Sequence, residues 1–510
     1  MKPDNLERIS EGALIILVGT VISKLLGYVY RFIVARSGSE VYGLISTGLA
    51  VFGILGAIAL FGLDVAVTRY VSYYSEKANH SRISGTIKSA LTISTITSII
   101  AGVLLFVFSN KIALSVFHNS DVTVILQVFA FAIPLSVLRN IFLAVTRGFK
   151  VMKYDVYSKS LAENISRIVF TVIAIILGTQ LLGISVAYVL GILISLVLAF
   201  FFSEKLFSLI KSKESIPMKK ELLTYSVPLT ISTILMLFVL WMDTIMIGFF
   251  RTMSEVGIYN AVMPTSQLMH IFTMAVVGLF LPVLSSLYSA DSLEEISSLY
   301  KTVIKWVAMI NIIPLFIFIF FPSQVLSILF GAEYSIGGTS LLILSIGFFI
   351  YSFSLIAYQI LIIFKKTNWV MWISLITMLI NFILNYVLIP KMGIDGAAIA
   401  TSVSFVILAL IMFVCSHRLV QKSPLDPKLL NIFASAVISF IIFMIIKSFI
   451  FIENKIIYIA VLTLMFIIIY LILLLVTRSF DREDVRAIRH LQTKLRFNFS
   501  FINNILRRFI

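Results

Sequence analysis

The chain lacks most of the residues from which metal and redox chemistry is built. Its one cysteine, Cys415, excludes an intramolecular disulfide and any Cys-x-x-Cys pair. Its five histidines are scattered, with no His-Glu-x-x-His pairing, so no metal and no other cofactor is expected. No Walker loop is present, which argues against direct ATP hydrolysis. Acids are scarce, 24 against 40 Lys and Arg, and charged residues make up only 13% of the 510. No Asp-x-Asp pair occurs; Asp481 and Asp484 are wrongly spaced for one.

What is present is hydrocarbon. The chain is 60% hydrophobic with a mean hydropathy of +1.07, well above a soluble domain. Apolar runs of about 18–25 residues recur from end to end, each long enough to span a bilayer as a helix, and the short alternating segments of a β-barrel are absent. The expected fold is an all-α integral membrane protein of about 14 transmembrane helices. The spans read as 12–35, 43–70, 86–108, 122–147, 160–178, 182–203, 224–250, 257–288, 302–321, 338–364, 368–390, 395–416, 430–451 and 456–477. Spans two and eight are long, implying tilt or extension beyond the bilayer. The first helix is too long and too charged for a signal peptide and has no small-residue cleavage site, so it is expected to stay.

An even number of spans puts both termini on one side. Most Lys and Arg lie on that side, whereas the opposite loops hold only Arg36, Lys111, Arg251, Lys391, Lys447 and Lys455. The positive-inside rule then makes both termini cytoplasmic, in a cell membrane. The net charge of +16 is thereby explained by topology, and nucleic acid is not an expected partner. No loop exceeds about 20 residues, too few for an extramembrane catalytic domain. The tail after Arg478 carries Arg482, Arg486 and Arg489 at helical spacing, which fits either a surface helix on anionic lipid or a solvated topogenic tail.

The sequence also repeats. Ser39-Glu40-Val41-Tyr42-Gly43 returns as Ser254-Glu255-Val256-Gly257, each opening a long helix that ends near a Tyr-Ser pair. Gly183-Ile184 returns as Gly393-Ile394, and Asn164 as Asn381, at nearly the same interval. Spans 1–6 thus repeat as 7–12 in the same orientation, a parallel-repeat transporter plan with two helices added. The expected organisation is an N-lobe over 1–210, a basic linker over 211–223, a C-lobe over 224–418, two further helices over 419–477 and a basic cytoplasmic tail over 478–510.

Several motifs carry a family resemblance. Gly19-Thr20, Lys24-Leu25-Leu26-Gly27, Arg31, Ala35-Arg36, Glu40-x-Tyr42-Gly43, and Gly62-Leu63 through Arg69-Tyr70 resemble the start of the polysaccharide-exporter, or O-antigen-type, flippases. These belong to the multidrug/oligosaccharidyl-lipid/polysaccharide exporter superfamily, which includes the MATE-like transporters. Tyr225-Ser226-Val227-Pro228-Leu229, with Asp243 beyond it, resembles the start of their second lobe. The resemblance implies a monomeric carrier, not an enzyme. It would move an isoprenoid-(pyro)phosphate-linked oligosaccharide from the inner to the outer leaflet by alternating access, alongside polysaccharide assembly enzymes.

Cations inside a span are costly, roughly 2.5–3.5 kcal/mol each at the helix centre, and point to an anion. Lys24, Tyr28 and Arg31 share one helical face and form a candidate phosphate-binding stripe. The alternatives are a structural acid beside Lys24 and snorkelling of Arg31. Arg139 is a fourth candidate; the alternative is an interhelical structural bond. Asp64, Arg69, Asp243 and His270 are candidates for gating or ion coupling, set against lobe packing, snorkelling and a satisfied interior histidine. Glu163 and Arg167 have the spacing of a local ion pair, and Asn381 and Asn385 that of helix glue. Two other function classes compete. A cation-coupled multidrug exporter predicts an acid-dominated cavity, and a membrane glycosyltransferase or polymerase needs a metal site or a large outer loop.

Overall fold

A computed structural model describes residues 3–209, 214–421, 427–481 and 484, and every regular element among them is helical. In chain order the α-helices are α1 (Pro3–Ala35), α2 (Ser39–Leu60), α3 (Leu63–Glu76), α4 (His80–Ser115), α5 (Asp121–Gly148), α6 (Lys153–Asp155), α7 (Glu163–Ile176), α8 (Gln180–Leu206) and α9 (Lys219–Phe250). They continue as α10 (Met253–Gln267), α11 (Ile271–Ser289), α12 (Leu293–Phe320), α13 (Pro322–Leu329), α14 (Gly338–Ile363), α15 (Thr367–Val420), α16 (Pro427–Lys447) and α17 (Lys455–Val476). A π-helical turn, Val156–Ala162, joins α6 to α7. Ten of the described helical segments are long and apolar enough to cross a membrane.

The chain divides into two compact units, Met1–Ala261 and Val262–Ile510. In the first, α5 is the central helix and packs on α2, α3, α4 and α8. Of its most apolar stretch 67% lies inside the protein, against 22% for α4, which leaves α4 facing lipid. Small residues permit this, since the backbone of α5 at Ala130 lies against Gly102 of α4.

The two long spans are not continuous helices. Span two breaks at Phe61-Gly62, where both residues are left-handed (φ 53° and 62°), and α3 restarts at Leu63. Span eight breaks at a 3-10 turn, Leu268–His270. Their apolar length therefore reflects two segments each rather than one tilted rod. Spans eleven and twelve run together as α15 but bend at Gly393, whose φ of 58° and ψ of −134° suit a residue without a Cβ.

In the second unit α14 packs on α12 and α15, and α16 and α17 join α12 through an aromatic column. Phe316 stacks on Phe466 with centroids 3.8 Å apart, and Phe443 meets Phe316 edge-on at 4.6 Å. Asp481 and Asp484, read from sequence as part of the basic tail, are instead held against α12. The Lys305 ammonium donates to Asp481 at 2.6 Å and to Asp484 at 2.7 Å, and Trp306 donates to Asp484 at 2.6 Å. Lys428 pairs with Asp481 from the other side. The rest of the expected tail, 482–483 and 485–510, and linker residues 211–213 lie outside the described residues.

Lys305 and Asp484 are 1% and 3% exposed, so removing one charge strands the other. Lys305→Met is expected to cost about 3–5 kcal/mol, read as a lower melting temperature in detergent. Asp481 lies outside the membrane-spanning helices. Burial pushes its carboxyl up, but the bonds from Lys305 and Lys428 outweigh this and hold it below its usual 3.8. Its contribution is therefore present above pH of about 4 and is lost as pH falls through the lower folded value, a loss that an Asp481→Asn variant should not show in the same melting series.

Candidate functional site

Lys24, Tyr28 and Arg31 lie on α1 at one-turn spacing, as the sequence predicts. Lys24 is exposed, and among the described residues it has no ion pair and no hydrogen bond. Tyr28 is half-buried against Phe32, centroids 6.1 Å apart. Arg31 is half-buried and donates to the Tyr42 hydroxyl at 3.1 Å; no acid among the described residues pairs with it. Tyr42 passes the bond on, donating to the Asn260 carbonyl of α10 at 3.1 Å. The α1 stripe thus ends on a polar chain that links α1, α2 and α10.

That chain lies beside a close helix crossing. The two copies of the Ser-Glu-Val motif meet there, with the Ser39 and Ser254 hydroxyls 2.8 Å apart. A Cβ on Gly43 would strike the Met253 carbonyl oxygen, and one on Gly257 would strike the Ser39 carbonyl oxygen. The relation is reciprocal, each glycine facing a carbonyl oxygen of the other helix. Only glycine lets the backbones approach this closely. The crossing is clamped to α9 by two adjacent pairs. Tyr259 donates to the buried Asp243 at 2.5 Å, and the Asn260 amide donates to Thr244 at 3.2 Å.

Arg139 stands apart from the α1 stripe. It projects from α5, is 6% exposed, and pairs with Glu163 at the start of α7. Glu163 also takes Arg167, 2.5 Å away and one turn on, as its spacing predicts. Arg139 therefore has its acid on another helix, where sequence spacing does not show it.

The other candidates are dispersed. Asp64 lies 3.7 Å from Arg147, which also donates to Asp155 at 3.0 Å. Arg69 is exposed and lies over the Tyr225 ring, 4.4 Å from its centroid. In the second unit His270 stacks on Phe348 at 5.3 Å. Asn381 bonds to Asn385 and to Thr401, each at 3.1 Å, as helix glue. An apolar groove of about 720 Å³ between α2 and α4 includes Lys111 as its single cation and no acid. It is unrelated to the stripe.

Sequence reasoning missed Tyr42 and Asn260, the polar chain beyond Arg31, and Tyr30 and Tyr188, the rings around Arg167. It also missed the π turn that carries Lys159. A π turn inserts one residue into a helix without altering its apolar composition, so periodicity does not reveal it. Tyr42 was within reach, since the Glu40-x-Tyr42-Gly43 motif had already marked it.

With every described element helical and ten segments of membrane-crossing length, the fold defines a multi-pass membrane protein. The family model for "Polysaccharide biosynthesis protein" matches residues 9–288, and the chain belongs to that family. The MatE model matches residues 228–387. Together these place it among the polysaccharide exporters of the multidrug/oligosaccharidyl-lipid/polysaccharide superfamily, as the motifs of residues 19–70 indicate. The chain is 26% identical to the membrane protein MJ1068 of Methanocaldococcus jannaschii over 80% of this chain and 83% of that one. It is 31% identical to the Haloferax volcanii protein named probable low-salt glycan biosynthesis flippase Agl15, over 38% of this chain and 41% of that one. Its fold is similar to that of the lipid II flippase MurJ in an inward closed conformation, with a TM-score of 0.70 and 17% identity, covering 89% of this chain and 97% of the other.

The reciprocal crossing makes a direct prediction. Ser39→Cys with Ser254→Cys, in a Cys415→Ser background, is expected to form a disulfide under mild oxidation. Mass spectrometry of the digested protein should recover the joined peptides. Neither single variant should yield an intramolecular cross-link.

Proposed function

We propose that this protein is a flippase that moves an isoprenoid-(pyro)phosphate-linked oligosaccharide from the inner to the outer leaflet by alternating access, for cell-surface glycan assembly. The observation that carries this reading is the α1 stripe, where Lys24 and Arg31 share a face without a carboxylate partner among the described residues. A phosphate supplies the missing charge, and Arg31 is suited to grip it through two parallel N–H bonds. Tyr28 adds a hydroxyl between the two cations. In this reading the α1 pair makes the contacts to the head group, and Arg139, closed in with Glu163, is assigned none. The isoprenoid tail stays in lipid while the head group crosses the polar path.

In the same reading fourteen spans form two six-helix lobes, 1–210 and 224–418, with helices 13 and 14 outside them. Both termini are cytoplasmic, in a monomer of the cell membrane. The Gly43–Gly257 crossing closes the outer side. Asp64 and Arg69 belong to the inner gate, and Asp243 and His270 are the candidates for a coupling ion. Outward movement of a negative head group from a negative-inside cell is favoured by about 2.3 kcal/mol per charge per 100 mV, so membrane potential gives the cycle its direction.

The test is translocation of a labelled polyprenyl-pyrophosphate oligosaccharide in proteoliposomes. Lys24→Gln and Arg31→Gln each remove a charged contact worth about 1.5–3 kcal/mol and are expected to slow transport by about 10- to 100-fold. Collapsing the potential should slow the wild type, and the Ser39→Cys/Ser254→Cys cross-link should stop it reversibly. A cation-coupled drug exporter is the second reading, favoured by the MatE match over 228–387. Vesicles that export a cationic dye and ignore the glycolipid would decide for it.

A further inference from the structure

The ion cluster of α5 and α7 is not neutral. Two guanidinium groups, Arg139 and Arg167, share one carboxylate, Glu163, which leaves a positive charge over. All three side chains are deeply buried, at 7%, 11% and 8% exposure. Outside water such an excess is strongly disfavoured, which marks the cluster as one that lacks a member.

The hydrogen bonds point the same way. The Nε–H groups of both arginines are buried with no partner among the described residues. So is the hydroxyl of Tyr30, a residue only 5% exposed whose ring lies 5.3 Å from the Arg167 guanidinium carbon. Thr171, one turn beyond Arg167 on α7, carries a second such hydroxyl and is the fourth unmet group. Each of these groups can donate, and a guanidinium Nε–H can do nothing else. Unmet buried donors are destabilising, so their concentration beside one unbalanced charge is informative.

We propose that this cluster is a binding site for a small monoanion of chloride size, held by Arg139, Arg167 and Tyr30. Water would satisfy the donors but leave the charge. A monoanion satisfies both. A lipid-linked phosphate is excluded by enclosure, since Arg167 is covered by the ring of Tyr188 at 3.9 Å and by Tyr30, and neither arginine is open to a large head group. The site goes beyond the flippase reading and does not depend on what the protein carries. The anion ties α1, α5 and α7 together and so completes the first compact unit.

Glu163 and the anion compete for the same guanidinium groups, and this sets the test. The full-length protein in detergent is melted in sodium chloride and in sodium gluconate at matched ionic strength. Chloride is expected to raise the melting temperature in a saturable way, with bromide substituting for it. Arg167→Gln should abolish the shift. Tyr30→Phe, a milder change that should fold, should raise the chloride midpoint several-fold. Glu163→Gln should lower that midpoint, a change opposite in sign that simple loss of stability cannot mimic. The proposal is overturned if the wild type melts identically in both salts. It is also overturned if the midpoint is unchanged in Tyr30→Phe and Glu163→Gln, or if inorganic phosphate protects where chloride does not.

Discussion

A cation inside a membrane protein must find a carboxylate, an aromatic face, a hydrogen bond or an anion, and the arrangement of this chain follows from how each one is satisfied. Lys305 is met by Asp481 and Asp484, and Arg147 by Asp155 and Asp64. Arg69 lies over Tyr225, and Arg167 lies over Tyr188 while sharing Glu163 with Arg139. Against that background Lys24 and Arg31 differ, because the stripe they form has no acid among the described residues. The contrast separates cations paired with a carboxylate from cations that have none, a distinction that residue type alone does not make.

The second constraint is the close approach of α2 and α10. Gly43 and Gly257 each face the other helix's backbone, and Ser39 meets Ser254, its counterpart in the repeat. Packing this tight relies on dispersion and on hydrogen bonds without burying large side chains. Both helices begin at the crossing, so a modest rotation there would displace their far ends by much more. The polar chain from Arg31 through Tyr42 to Asn260 runs beside it, placing a cation of the candidate binding stripe next to the candidate outer closure.

Much of this was legible in residue order. The apolar runs marked the helices because each must satisfy its own backbone in lipid, and the Ser-Glu-Val repeat marked two helices that prove to touch. The Glu163–Arg167 pair and the Asn381–Asn385 pair followed from one-turn spacing. The breaks at Phe61-Gly62 and at Leu268–His270 did not, because a helix can change course within an apolar run without any change in composition. The fixing of Asp481 and Asp484 was hidden by the basic residues around them, and the decisive partner, Lys305, is remote in sequence.

Residue order alone establishes the solvent, the class and the family. Composition leaves no option but lipid for so apolar a chain, and the motifs of residues 19–70 are local enough to be recognised without a fold. The fate of each charge is settled by how the helices pack. Arg139 and Lys24 look alike as isolated cations in apolar helices, yet one is buried against a carboxylate from α7 and the other is exposed without one. Pairing depends on which helices become neighbours, and that is set by packing across the whole unit rather than by spacing along one helix.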